Sequence, residues 1–183
     1  MKQYLAKLIT QKEENEDTST IVRTGKGRVN YPHLAVPYAF NLNSRKSFSI
    51  CFLFPKEDTA SKDILDKAIK NAVANGVEKY GPQFTAFRNP INDGDAKDDE
   101  SYYDHWYINA KNPHRPAIYD ENRVEMDPED IYSGCYVRCV IEFYPYSFNG
   151  NNGIAASLKS VQFLEDGDLL YAARTSSADD YAD

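Results

Sequence analysis

Residues 47–54, SFSICFLF, place Phe48, Ile50, Phe52 and Phe54 at every second position. Side chains alternate between the two faces of a strand, so this period in aromatic and β-branched residues predicts a strand with one face in a core. Pro55, which cannot donate to a ladder, ends it. Over residues 59–75 the period changes: Ile64, Leu65, Ala68, Ile69, Ala72 and Val73 fall at helical spacing, with Thr59 or Ser61 able to cap the start and Asn75-Gly76 to supply a left-handed stop. Gly81-Pro82 and Asn89-Pro90 then break the chain into a connector ahead of the acidic stretch INDGDAKDDE.

HWYINAK (105–111) predicts a strand with Trp106 and Ile108 inward and His105, Tyr107, Asn109 and Lys111 outward; RPAIYD (115–120) continues as a short one. Residues 120–130, polar and acidic, read as a surface loop. The longest strand is in GCYVRCVIEFYPY (134–146), where Cys135, Val137, Cys139, Ile141 and Phe143 form an apolar face and Tyr136, Arg138, Glu142, Tyr144 and Tyr146 alternate with them toward solvent. The turn SFNGNNG leads into another strand, GIAASLKSVQFL. The sum is a β-dominated barrel or sandwich of at least five strands with one helix between early strands. Residues 1–17 combine Tyr4, Leu5, Leu8 and Ile9 with a Glu-rich stretch and read as an arm before a domain at 18–172, which is followed by an acidic tail at 173–183.

Composition adds limits. In 183 residues, 42% hydrophobic and 27% charged, the balance is that of a globular chain and excludes collagen, coiled coil and disorder throughout. No apolar run nears the ~20 residues that cross a bilayer, and the N-terminus has no signal-peptide stretch, so a soluble, intracellular protein with no membrane partner is expected. Cys51, Cys135 and Cys139 cannot all pair and show no zinc spacing; they read as small core hydrophobes.

The net charge of −7 argues against a polyanionic partner until its distribution is considered. Residues 18–56 hold Arg23, Lys26, Arg28, Arg45, Lys46 and Lys56 and no carboxylate, and residues 105–119 hold Lys111 and Arg115 and again no acid. An acidic protein segregated in this way can present a basic groove. Exposed tyrosines beside arginines suit single-stranded nucleic acid, because every base has a π-face that stacks on a ring while guanidinium groups neutralise phosphate. Outward tyrosines also serve simply as good strand formers that cover a sheet.

On the binding reading, Arg23, Lys26, Arg28, Arg45, Lys46, Lys111, Arg115 and Arg138 contact phosphates, and Tyr31, Tyr107, Tyr136, Tyr144 and Tyr146 stack on bases, with little sequence preference. His33, His105 and His114 lie in separate segments, and Lys97 stands where a calcium loop needs an oxygen ligand, so a solvated acidic loop is favoured over a metal site, and no cofactor is expected. The C-terminus, with Asp179, Asp180, Tyr181 and Asp183, has no apolar period and reads as a flexible acidic tail. Tethered to a basic groove, it would compete for that groove at high effective concentration.

The chain resembles a family of bacteriophage single-stranded-DNA-binding proteins with an oligonucleotide-binding (OB) fold. The likeness rests on RVNYPHL (28–34), FSICFLFPKEDT (48–59), the helix up to Asn75-Gly76, INDGD (91–95), YINAKNPHRPAIYD (107–120), DPEDIYSGCYVRCVIEFYPYSFNGNNGIAASLKSVQFLEDGDLL (127–170) and the acidic end. It implies a mainly β, five-stranded Greek-key barrel with an inserted helix, which binds single-stranded DNA in replication, recombination or repair in the cytoplasm of an infected bacterium. It also implies an acidic tail that regulates DNA occupancy and contacts phage or host replication and recombination proteins, and it leaves room for a homo-oligomer. Two rival readings remain at this point: a virion structural or assembly protein whose tyrosines form a protein interface, and a metal-dependent nuclease using the acids of residues 93–100.

Overall fold

The computed structural model describes residues 17–170. Its strands are β1 (Ile21–Arg23), β2 (Gly27–Tyr38), β3 (Ser47–Pro55), β4 (Ile91–Asp93), β5 (His105–Asn112), β6 (Ala117–Tyr119), β7 (Tyr136–Phe148) and β8 (Asn151–Glu165), and its helix α1 (Thr59–Tyr80) lies between β3 and β4. Pairing runs β7-β2-β3-β5-β8 and closes through β7–β8, with β5–β8 parallel and the other joins antiparallel.

Two of the five staves are interrupted strands. β1 and β2 both pair with β7 and are joined across the gap by Thr24, whose N–H donates to the Cys139 carbonyl at 2.8 Å and whose Oγ1 accepts from the Cys139 N–H at 2.9 Å. β5 and β6 both run parallel to β8, separated by residues 113–116 with Pro113 and Pro116. Counting each broken pair once gives the order 1-2-3-5-4, a closed five-stranded barrel, which removes the open edges a flat sheet would expose.

The alternating patterns place the core. Phe48, Ile50, Phe52 and Phe54 are buried, as are the odd positions 135–143, and Trp106 packs partly buried against the core beside the fully buried Ile108. All three cysteines are free and buried; burial pushes the Cys51 thiol up to about 11 and raises those of Cys135 and Cys139 as well. Leu65, Ala68, Ile69 and Ala72 carry the helix into the same cluster, while Ile64, assigned to that face by its spacing, is exposed.

Both ends of the helix differ from the expectation. The N-cap is Asp58, whose carboxylate accepts from the Ser61 N–H at 3.0 Å, in place of Thr59 or Ser61. The helix passes through Asn75-Gly76 and stops at Gly81, with φ 94°. Gly76 serves a close approach: a Cβ there would stand 2.4–2.5 Å from the Phe84 ring, which packs where the side chain would be. Asn149-Gly150, with φ 49° and 78°, forms the two-residue turn of the β7–β8 hairpin, whose twist suits two left-handed residues.

The acidic stretch is ordered by its own carboxylates. Lys56 Nζ lies 2.5 Å from both Asp93 and Asp95, and this contact holds the two carboxyls below their usual range. Asp93 and Asp99 cap the 3-10 turns Gly94–Ala96 and Glu100–Tyr102. Together these bonds deliver Tyr102 onto the outside of the barrel. Among the described residues no cluster of three or more metal-ligating side chains exists, and no helix is long and apolar enough to cross a membrane.

Candidate nucleic-acid interface

The barrel register draws one continuous row across four staves. Tyr136 on β7 stands opposite Arg28 on β2, Arg28 opposite Leu53 on β3, and Leu53 opposite Tyr107 on β5. The next outward rows are Asn30–Cys51–Asn109 and His33–Ser49–Lys111. Val29, Phe52 and Ile108, one position along from the first row, fill the interior, so the period of two sends the residues of these three rows outside.

The floor of this face is apolar and satisfied. Cys51, Leu53 and Tyr102 form a small cluster of their own, with Tyr107 packed against it. The Tyr102 hydroxyl accepts from Asn30 Nδ2 at 3.2 Å and lies 3.4 Å from Cys51 Sγ, and its pKa is pushed up chiefly by burial. Tyr102 meets Tyr107 edge to face at 5.1 Å between centroids, and Lys97 Nζ sits about 5 Å from both rings. At the opposite margin, Lys26 Nζ and Arg28 Cζ lie 4.9 and 5.3 Å from the Tyr136 ring centroid. Rings at both margins are therefore flanked by cations, the pairing that stacking on bases and contact with phosphate require.

Several of these cations have other partners. Lys26 bonds Glu165 at 2.6 Å, which raises its pKa. Arg28 donates from Nε to the Gly134 carbonyl at 3.1 Å and from Nη2 to the Asp168 carbonyl, tying residues 166–170 to the edge of the face. Arg115 donates to the Ala35 carbonyl at 2.7 Å and lies 5.4 Å from the Phe48 ring. Arg45 and Lys46 are exposed on the β2–β3 connection, and Lys111 is exposed on β5. Tyr31 sits at a bulge in β2 with φ 47° and half its surface exposed.

The structure thus gathers Lys26, Arg28, Tyr31, Tyr107, Lys111 and Tyr136 on adjoining rows of one face, with Arg45, Lys46 and Arg115 on the connections that border it. The even positions of β7 do not form a single platform. Tyr144 lies eight residues beyond Tyr136, about 26 Å along the strand, and Tyr146 covers Gly153 across the hairpin so closely that a Cβ there would meet its ring at 2.3 Å. Arg23 and Arg138 lie on the β1–β7–β8 side. Residues 171–183, including Asp179, Asp180, Tyr181 and Asp183, lie outside the described residues, as do residues 1–16.

Three residues on this face carried no signal in the sequence. Lys97 was hidden in an acidic run. His33 and Tyr38, whose rings stack at 4.5 Å, lie on a strand obscured by Pro32 and Pro37.

A closed five-stranded barrel with a cationic, ring-bearing outer face over its second and third staves is an OB fold, whose ligands bind on that face. The family model of the single-stranded-DNA-binding protein of Enterobacter phage Enc34 matches residues 20–183. Protein p50 of Acyrthosiphon pisum secondary endosymbiont phage 1 is 30% identical over 174 residues, covering 88% of this chain and 92% of the relative. The solved structure of the bacteriophage Enc34 single-stranded-DNA-binding protein in complex with single-stranded DNA is 28% identical with a TM-score of 0.74, over 82% of this chain and 89% of that one. Gp2.5, the single-stranded-DNA-binding protein of bacteriophage T7, shares the fold at 17% identity with a TM-score of 0.60, over 86% of this chain and 97% of that one. The chain belongs to the Enc34 single-stranded-DNA-binding protein family, which is non-enzymatic.

Proposed function

We propose that this protein binds single-stranded DNA along the β5–β3–β2–β7 face, without marked sequence preference, in phage DNA replication, recombination or repair within the infected cell. The observation that carries the reading is the row Tyr107–Leu53–Arg28–Tyr136, with Lys97 at one end and Lys26 at the other. Rings stack on any base and cations meet phosphates, so affinity depends little on sequence. A fluorescence titration with single- and double-stranded oligonucleotides of mixed sequence tests it, with the single strand expected to bind more tightly. Tyr136→Ala and Tyr107→Ala are each expected to weaken single-strand binding by about 1–3 kcal/mol. A comparable loss in Tyr144→Ala with a short oligonucleotide would move the interface to the β7–β8 hairpin.

The acidic tail completes the reading. Residues 166–170 run along the margin of the face: Tyr132 Oη donates to Asp166 at 2.8 Å, and the Leu170 N–H donates to the Ser133 carbonyl at 3.3 Å. A tail that leaves from there is tethered within reach of Lys26 and Lys97, competes with DNA for them, and is free for a replication partner once displaced. Deleting the residues after Arg174 is expected to tighten DNA binding at low salt, measured by the same titration. Unchanged affinity would remove the competition.

A further inference from the structure

A second cleft, lined by arginines, lies where β1, β6, β7 and β8 adjoin. It is about 370 Å³, within the range of small-ligand sites (about 300–1,000 Å³), and Arg23, Arg123, Arg138, Tyr119 and Gln162 line it. The register explains the gathering: Arg138 on β7 stands opposite Gln162 on β8, Gln162 opposite Tyr119 on β6, and Arg23 on β1 opposite Val140, two residues along from Arg138. Gln162 Nε2 donates to the Asp120 and Glu121 carbonyls at 3.2 and 3.3 Å, which holds the loop bearing Arg123 against β8.

Among the described residues, none of the three arginines is in an ion pair, although Glu121 and Glu125 lie nearby in sequence and the Asp120 carboxylate is occupied by the Asn122 and Val124 N–H groups. Arg138 Nε is buried and without a hydrogen-bond partner. Three arginines line one cleft with no acid paired to any of them among the described residues, and a buried donor without an acceptor is costly, so the arrangement calls for an anion.

We propose that this cleft is a second contact for single-stranded DNA, in which Arg23, Arg123 and Arg138 hold backbone phosphate and Tyr119, 37% exposed, offers its ring to a base. The inference rests on the single-strand reading above. Continuity favours DNA over an acidic peptide: Arg138 follows Tyr136 by two residues on the same outer side of β7, about 6.6 Å on, so a strand leaving the first face past Tyr136 meets Arg138 next. An exposed ring among the arginines offers a base a face to stack on.

The test is a fluorescence titration of the full-length protein and a Tyr119→Ala/Arg123→Ala variant with oligothymidylates of about 6 and about 20 nucleotides, the short one sized for a single OB face. The expected result is unchanged affinity for the short strand. For the long strand it is about a tenfold loss, with the slope of log K against log salt shallower by about 0.7 for each phosphate contact removed. Equal affinity of variant and wild type at both lengths overturns the proposal, as does an equal loss at both. A labelled peptide of residues 171–183 that binds wild type but not the variant, with long-strand affinity unmoved, would assign the cleft to an acidic peptide and overturn it too. If wild type fails to bind the short strand, the single-strand reading falls and takes this inference with it; if the short strand binds and no length-dependent loss is found, this inference alone falls.

Discussion

Raising monovalent salt from about 50 to about 200 mM is expected to weaken binding of a mixed-sequence single strand by about 100-fold. Single-strand binding scales with salt at a slope of about −0.7 per neutralised phosphate, and about five contacts from the cations around the face give a slope near −3.5. Lys97, Lys111, Arg45, Lys46 and Arg115 supply that number, while Lys26 must first exchange Glu165 for a phosphate. Exposed lysines lose little in meeting a phosphate, and the released counterions supply the drive, so a protein with a net charge of −7 still binds a polyanion where its cations are gathered. Polarisation titrations across a salt series measure the slope directly. A slope near zero would mean that these cations do not meet phosphate.

Tyr102→Ala is expected to destabilise the protein by about 3–5 kcal/mol, the cost of truncating a buried aromatic side chain. Its ring is 2% exposed and closes the outer surface of β3 over Cys51 and Leu53. The effect reaches the proposed interface, because Tyr107 rests edge-on against Tyr102 and both share Lys97. Removing the ring leaves Tyr107 without its support and the apolar floor open to water. Tyr102→Phe keeps the packing and loses only the hydroxyl contacts to Asn30 and Cys51, a change of about 1 kcal/mol. Thermal and denaturant unfolding of the two variants separate the contributions. Equal, small losses in both would show that the ring does not close this surface.

These effects bear on what the sequence made visible. β3, β5, β7 and the first four turns of α1 were legible because one face of each is in the core and apolar residues repeat at the period of the element. β2 was not: Pro32 and Pro37 interrupt it, the bulge at Tyr31 shifts its register, and alternation fails across the shift. Gly76 looked like a helix stop because Asn-Gly favours the left-handed conformation, but the Phe84 ring that needs its missing side chain is eight residues away and invisible to a local pattern.

The outward direction of these side chains was legible in the alternation, and their grouping with residues of other strands was not. Alternation showed that Tyr136, Arg138 and Tyr144 point out from β7, yet a 13-residue strand in a closed barrel twists through several neighbours, so positions equivalent in pattern face different surroundings. Tyr136 joins the Arg28 row, Arg138 the cleft beside Gln162, and Tyr144 the distal hairpin. Lys97 entered the site through the fold alone, carried there by the carboxylates that order its loop.

Hydrogen-exchange mass spectrometry of the protein with and without an oligonucleotide of about six nucleotides tests the central assignment most directly. Protection is expected in peptides from β2, β3, β5 and the start of β7, around Arg28, Ser49, Tyr107 and Tyr136, with the distal β7–β8 hairpin unchanged. Protection concentrated at that hairpin, with none over β3 and β5, would contradict the account.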